Sequence, residues 1–285
     1  MPDHRTRSFE RDGATITYDV RGDLDGAVPL LLLGSPMDAG GFTALAAEIT
    51  DRPTITCDPR GTGRSTRHDD PAGELTPLDH AADLSLLAAE LGVEQVDVFA
   101  SSGGAVNALA WVAQHPGQVR TLVAHEPPTP TLLPDREPLL AAVKDIASTY
   151  QERGFGAAMG KFIALVGYEG ELPSGFTLPE IDPAQFGLPA HDDGTGSDPL
   201  LRQNLRGLTD HPLAVEALRR APTRIVLARG ESSGQQMAAR SAQAVAEVLG
   251  RDLVTMPGDH TGFTPGEWGM GGDPKAFAIA LLDLL

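Results

Sequence analysis

Residues 96–106 read Val96-Asp97-Val98-Phe99-Ala100-Ser101-Ser102-Gly103-Gly104-Ala105-Val106. An apolar, strand-like run enters a serine ringed by small residues, and a helical pattern begins at once. A chain that turns this sharply from strand to helix strains the residue at the corner and lifts its side chain clear of the sheet edge. Side chains two positions away on either side would collide in such a turn. Ala100 and Gly104 meet that requirement around Ser102. Around Ser101 the corresponding neighbour is Phe99, so Ser102 is the candidate nucleophile. A helix N-cap would also place a serine here, so the reading depends on what surrounds the segment.

Upstream, Phe9 to Glu10 and Ala14 to Arg21 form the pattern of a hairpin turned by Asp12-Gly13. Val28 to Leu33 is an unbroken aliphatic run ending at Gly34, the signature of a strand covered on both faces of a parallel sheet. Helical spacing follows over Phe42 to Ile49, then a second buried run, Thr54 to Cys57, and an amphipathic helix over Leu78 to Leu91 closed by Gly92. Downstream, a helix over Gly103 to Gln114 stops at Pro116, and Val119 to Ala124 is the next strand. This alternation predicts an α/β fold with a mostly parallel central sheet and helices on both faces. From Pro127 to about Pro222 helical segments occur without a strand pattern, at Leu139 to Arg153, Gly156 to Val166, Leu200 to Leu208 and Leu213 to Arg220. Strand and helix then return at Arg224 to Ala228, Gly234 to Leu249 and Asp252 to Met256, with an apolar terminal helix over Phe277 to Leu285. The expected organisation is a core of residues 1–126 and 222–285 with a helical lid, or cap, over 127–221.

Three motifs in order carry a family resemblance: Leu31-Leu32-Leu33-Gly34-Ser35-Pro36, Asp58-Pro59-Arg60-Gly61-Thr62-Gly63-Arg64-Ser65, and the elbow at Ser102. Over nearly its full length the chain resembles the α/β-hydrolase family. The first motif looks like the family's oxyanion loop, with Leu33 where histidine often stands, and the second like its D-x-R-G-x-G-x-S turn. The elbow departs from G-x-S-x-G only in having Ala100 for the first glycine. The resemblance implies a Ser-His-acid triad and an oxyanion hole formed by the backbone N–H groups of Ser35 and Gly103; Pro36 has no N–H to offer.

In this family the triad order is nucleophile, acid, histidine, which disfavours His4, His68 and His80. His115 sits at a helix end before Pro116, and His191 and His211 fall in the expected lid. His260, in Met256-Pro257-Gly258-Asp259-His260-Thr261, directly follows the last strand and is the candidate base. Two acids compete. The family's usual place lies a few residues past a glycine after the strand Arg224 to Ala228, but three residues past Gly230 stands Ser233, with Glu231 displaced from it. Glu126 instead ends the strand Val119 to Ala124 in His125-Glu126-Pro127-Pro128, where the prolines would aim it rigidly. Glu126 is the favoured reading and Glu231 the rival. His125 is open between a supporting and a purely structural role.

With 39 acidic against 22 basic residues and a net charge of −17, the chain would repel a phosphate backbone, which argues against nucleic-acid partners. A single cysteine, Cys57, precludes an intramolecular disulfide. The polar N-terminus has no signal-peptide h-region, and no apolar run is long enough to span a bilayer, so no membrane partner and a cytoplasmic location are expected. Nothing resembles a metal-ligand cluster or a phosphate-binding loop, and no cofactor is expected. The expected function is hydrolysis of a carboxylic ester or related acyl bond; lactone, thioester and C–C substrates or perhydrolysis are the alternatives within the fold, and a binding module with a degenerate triad the alternative outside catalysis. Phe155, Met159, Phe162 and Leu165 suggest an apolar acyl or ring substrate, or simply lid packing.

Overall fold

The computed structural model describes residues 4–70, 72–186, 194–266 and 272–285. Strands β1 (His4–Arg11) and β2 (Ala14–Arg21) form the expected hairpin, with Asp12 and Gly13 at φ 43° and 70° in its turn. The sheet continues through β3 (Leu30–Leu33), β4 (Thr54–Cys57), β5 (Thr66–Arg67), β6 (Val96–Ser101), β7 (Val119–His125), β8 (Arg224–Gly230) and β9 (Leu253–Met256). Their spatial order is β1-β2-β4-β3-β6-β7-β8-β9, with β5 paired to β2. From β4 to β9 every neighbouring pair is parallel. The short β5 escapes a reading by periodicity, because two residues define no alternation.

Burial explains the unbroken aliphatic runs. Leu31 and Leu33 of β3, Val98 and Ala100 of β6, and Leu122 and Ala124 of β7 face one apolar cluster, built with α2 (Pro77–Leu91) and α3 (Gly103–Gln114). Their odd-even partners Leu30, Leu32, Phe99 and Val123 face a second cluster, with Phe42 and Leu45 at α1 (Thr43–Glu48) and Phe277 and Leu281 of α9 (Pro274–Leu282). Successive residues of a strand point to opposite faces, so a sheet covered on both sides must be apolar at every position. Helix α8 (Met237–Leu249) packs Val245, Ala246 and Leu249 on the α2–α3 side.

Between β7 and β8 the chain leaves the sheet and forms α4 (Arg136–Arg153), α5 (Phe155–Val166), α6 (Leu205–Thr209) and α7 (Val215–Arg220). Leu139, Val143 and Ile146 of α4, Leu165 of α5 and Leu205 of α6 form a third cluster, against which Phe155, Met159 and Phe162 pack. Those four apolar residues of α5 are therefore at least partly packing groups. Met237 of α8 joins the same cluster, and Arg240 of α8 pairs with Asp135 in front of α4. The segment read as one helix over 200–208 is two: a π-helical turn, Pro199–Asn204, then α6. Asp198 caps the turn by accepting from the N–H groups of Leu200 and Leu201 at 3.0 and 2.7 Å. His191 lies outside the described residues.

Candidate active site

Ser102 stands at the corner between β6 and α3 with φ 56° and ψ −131°, a conformation that costs a non-glycine residue energy. Two hydrogen bonds from β7 hold the corner. The Ser102 N–H donates to the His125 carbonyl at 2.9 Å, and Ser101 Oγ lies 3.1 Å from His125 Nδ1. The small residues that follow answer to contacts across the chain rather than to local turn geometry alone. A Cβ on Gly104 would lie 2.6 Å from the Leu33 carbonyl oxygen, and one on Gly103 would lie 2.5 Å from that of Ser35. The loop after β3 therefore abuts the start of α3, bringing together the two segments whose N–H groups the resemblance assigns to the oxyanion. Ser35 precedes Pro36 through a cis peptide bond.

Glu126 follows β7 with φ 48°, and its N–H donates to the Ala228 carbonyl of β8 at 3.0 Å. Its carboxylate is 1% exposed and spoken for on both oxygens. The Gly230 N–H donates to Oε1 at 2.9 Å, and His260 Nδ1 lies 2.6 Å from Oε2. Burial alone would raise the Glu126 pKa. The His260 hydrogen bond and charge outweigh it, with help from His125 and the nearby Ser233 hydroxyl, and hold the carboxyl at about 2. An ionised carboxylate only accepts, so His260 Nδ1 carries a proton and donates to Oε2, and Nε2 is the ring nitrogen outside that bond. Of the two competing acids, Glu126 is thus the one that meets His260. Glu231 is exposed, and among the described residues its carboxylate reaches the Gly258 N–H at 3.4 Å and not His260.

Ser233 stands where the family pattern would have a carboxylate, and nothing in its own neighbours points to Glu126. Its hydroxyl is fully buried close to Glu126 and helps, as the smallest of the contributions, to keep that carboxyl ionised. Packing on a neighbouring strand end, not a motif, brings the two together. His125 is fully buried among Phe99, Phe263 and Phe277 and stacks on the His260 ring at 6.1 Å. Desolvation pushes its pKa down to about 4, so it is neutral near pH 7. The remaining described histidines stand elsewhere. His80 is buried against Asn204 at 2.7 Å, His4 and His68 are exposed, His115 ends α3, and half-buried His211 lines a small separate cavity.

A family model described as alpha/beta hydrolase fold matches residues 30–177. The chain belongs to the α/β-hydrolase fold family. Among curated relatives, a protein of Bacillus subtilis (strain 168) named "Uncharacterized hydrolase YraK" is 29% identical over 257 residues, covering 88% of each chain. Similar solved structures include a thermophilic esterase from Thermogutta terrifontis, 15% identical with a TM-score of 0.66, covering 99% of this chain and 97% of that one. Another is Est816, described as an N-acyl homoserine lactone degrading enzyme, 18% identical with a TM-score of 0.64 over 98% of this chain and 100% of its own. Carboxylesterase CesB from Bacillus subtilis is 15% identical with a TM-score of 0.62, covering 99% of this chain and 91% of that one. Among the described residues no helix is long and apolar enough to cross a membrane.

Proposed function

We propose that this α/β-hydrolase is a serine hydrolase that cleaves a carboxylic ester or closely related acyl bond through Ser102, His260 and Glu126. Ser102 Oγ attacks the acyl carbon while His260 Nε2 takes its proton; the same proton passes to the leaving oxygen as the tetrahedral adduct collapses. Glu126 holds the ring by Nδ1 and stabilises the imidazolium that forms. The N–H groups of Ser35 and Gly103 stabilise the oxyanion, each worth about 3–4 kcal/mol. Water then hydrolyses the acyl-enzyme by the reverse proton route. Residues 127–221 act as the lid over a core of 1–126 and 222–285.

The observation that carries this reading is the 2.6 Å contact between His260 Nδ1 and a buried, ionised Glu126, which follows the strand next to the one that ends at a serine in strained geometry. A binding module has no need of either. The esterase names attached to relatives of the same fold agree with the reaction class.

The test is labelling by a fluorophosphonate probe with mass spectrometry of the modified peptide, and turnover of p-nitrophenyl acetate alongside. Labelling at Ser102 that Ser102→Ala and His260→Ala abolish is the expected result. A folded wild type that neither labels nor turns over ester would replace the hydrolase reading with ligand binding on the same fold.

A further inference from the structure

The proposed reaction gives the site two sides, and the sheet order says which is which. His260 must hand its proton to the leaving group, so the leaving group lies toward His260 and the acyl chain lies away from it. His260, Glu126 and Gly230 gather over the ends of β7, β8 and β9. The acyl chain therefore runs the other way, over β3 and β4 on the far side of β6.

Helix α6 stands on that side and is fastened there. The Leu75 N–H, between β5 and α2, donates to the Gln203 carbonyl at 2.7 Å. His80 Nε2 of α2 lies 2.7 Å from Asn204 Oδ1, and the Asn204 amide donates to the Pro199 carbonyl at 2.7 Å, which fixes Oδ1 as the acceptor. A Cβ on Gly61, just past β4, would lie 2.5 Å from Gln203 Oε1, and one on Gly207 would lie 1.9 Å from the Leu75 carbonyl oxygen. Buried polar bonds and close backbone approach leave α6 little room to swing. From it Leu208, 4% exposed, reaches Gly103: a Cβ there would lie 2.7 Å from Leu208 Cδ1. Leu208 belongs to none of the three apolar clusters among the described residues.

Resting on the serine-hydrolase reading, we propose that Leu208 is the specificity-determining residue for the acyl group and restricts it to short chains, acetyl to butyryl. The acyl oxygen must sit within hydrogen-bond reach of the Gly103 N–H. The first acyl carbons are then close to the Gly103 α-carbon, where Leu208 forms the roof. A longer chain would need that side chain, and the anchored helix behind it, to move.

The test is kcat/KM on p-nitrophenyl acetate, butyrate and octanoate for the wild type, Leu208→Ala and Leu208→Phe, with Leu208→Val as a milder variant should Leu208→Ala fail to fold. The wild type is expected to favour acetate and butyrate over octanoate by about tenfold or more, the scale set by a methylene or two in an apolar pocket. Leu208→Ala, or Leu208→Val to a lesser degree, should raise octanoate relative to acetate; Leu208→Phe should lower butyrate relative to acetate. A wild type that favours octanoate, or variants that change all three esters by one common factor, would overturn the roof while leaving the hydrolase intact. A wild type that labels with no probe and cleaves no ester would overturn both.

Discussion

The sheet edge and the inserted helices hold their parts of the site by different means. At the edge, Ser102 and Glu126 sit at successive strand ends, each in a positive-φ conformation and each tied by its own N–H to the neighbouring strand. Backbone hydrogen bonds set the geometry, and side chains only need to be small. In the insertion, side chains from distant segments do the holding: Asp135 with Arg240 at the start of α4, and Gln203 with Arg67 and Asn204 with His80 just ahead of the helix that carries Leu208. On the proposed mechanism the chemistry is thus anchored in the ladder, and the shape of the proposed acyl site in a set of buried polar contacts. Substitutions at the edge should act on turnover, and substitutions in the anchors on stability and selectivity.

The largest expected effect sharpens the edge side of that contrast. Glu126→Gln should lower kcat for p-nitrophenyl acetate on the order of 10³–10⁴-fold, the loss seen when a triad carboxylate can no longer hold its histidine in the right tautomer. An undiminished kcat would remove Glu126 from the triad. Next, Arg240→Met should leave Asp135, buried at α4 and accepting from the Leu172 N–H at 2.8 Å, without its cation. Breaking a buried pair from one side costs about 3–5 kcal/mol, to be read as a lower urea midpoint. An unchanged midpoint would mean that the insertion is not held through this pair.

A smaller effect concerns pH. The folded-state pKa of His125 is depressed from 6.5 to about 4, so the unfolded chain binds more protons between these values. Stability is therefore fully present above pH 6.5 and falls as the pH drops toward 4, by about 3 kcal/mol if the whole difference is realised. Glu126, held at about 2, adds its loss only below pH 4.5. His125→Phe should make the upper window shallower in urea titrations at stepped pH and leave the lower one; desolvated His80 and His211, whose pKa values are also lowered, keep the remaining slope. A slope between pH 6.5 and 4 that the substitution leaves undiminished would place the responsible protons elsewhere. The smallest effect is at Glu231. Glu231→Gln should leave kcat unaltered and shift stability by no more than about 0.5 kcal/mol, as for an exposed loop residue; a large loss of kcat would reverse the assignment of the acid.

Much of the fold was readable because its signals are local. The aliphatic runs of β3, β4, β6 and β7 require a sheet buried on both faces, and Gly92, at φ 69°, closes α2 where a left-handed residue was expected. Boundaries moved by a few residues where the last turn depends on packing. Helix α8 begins at Met237 rather than Gly234 because Gly234 turns the chain at φ 55° and Gln236 is extended in a bridge to Glu169. The helix expected over 200–208 divides because Asn204 and Gln203 are drawn into bonds with α2 and its preceding loop.

The sequence by itself determined the class of fold, the serine at the strained corner and the histidine after the last strand. The first two follow from steric rules that act over a few residues, and the histidine from the triad order that the family resemblance implies. It left two carboxylates competing, since neither Glu126 nor Glu231 shows in its own neighbours which one will face His260. Only the tertiary structure decided that, by setting β7 beside β8 so that the Gly230 N–H and His260 converge on Glu126. It alone also brought Leu208 over Gly103, through anchors contributed by residues far apart in the chain. Contacts of that kind depend on where whole elements come to rest, and no local pattern encodes them.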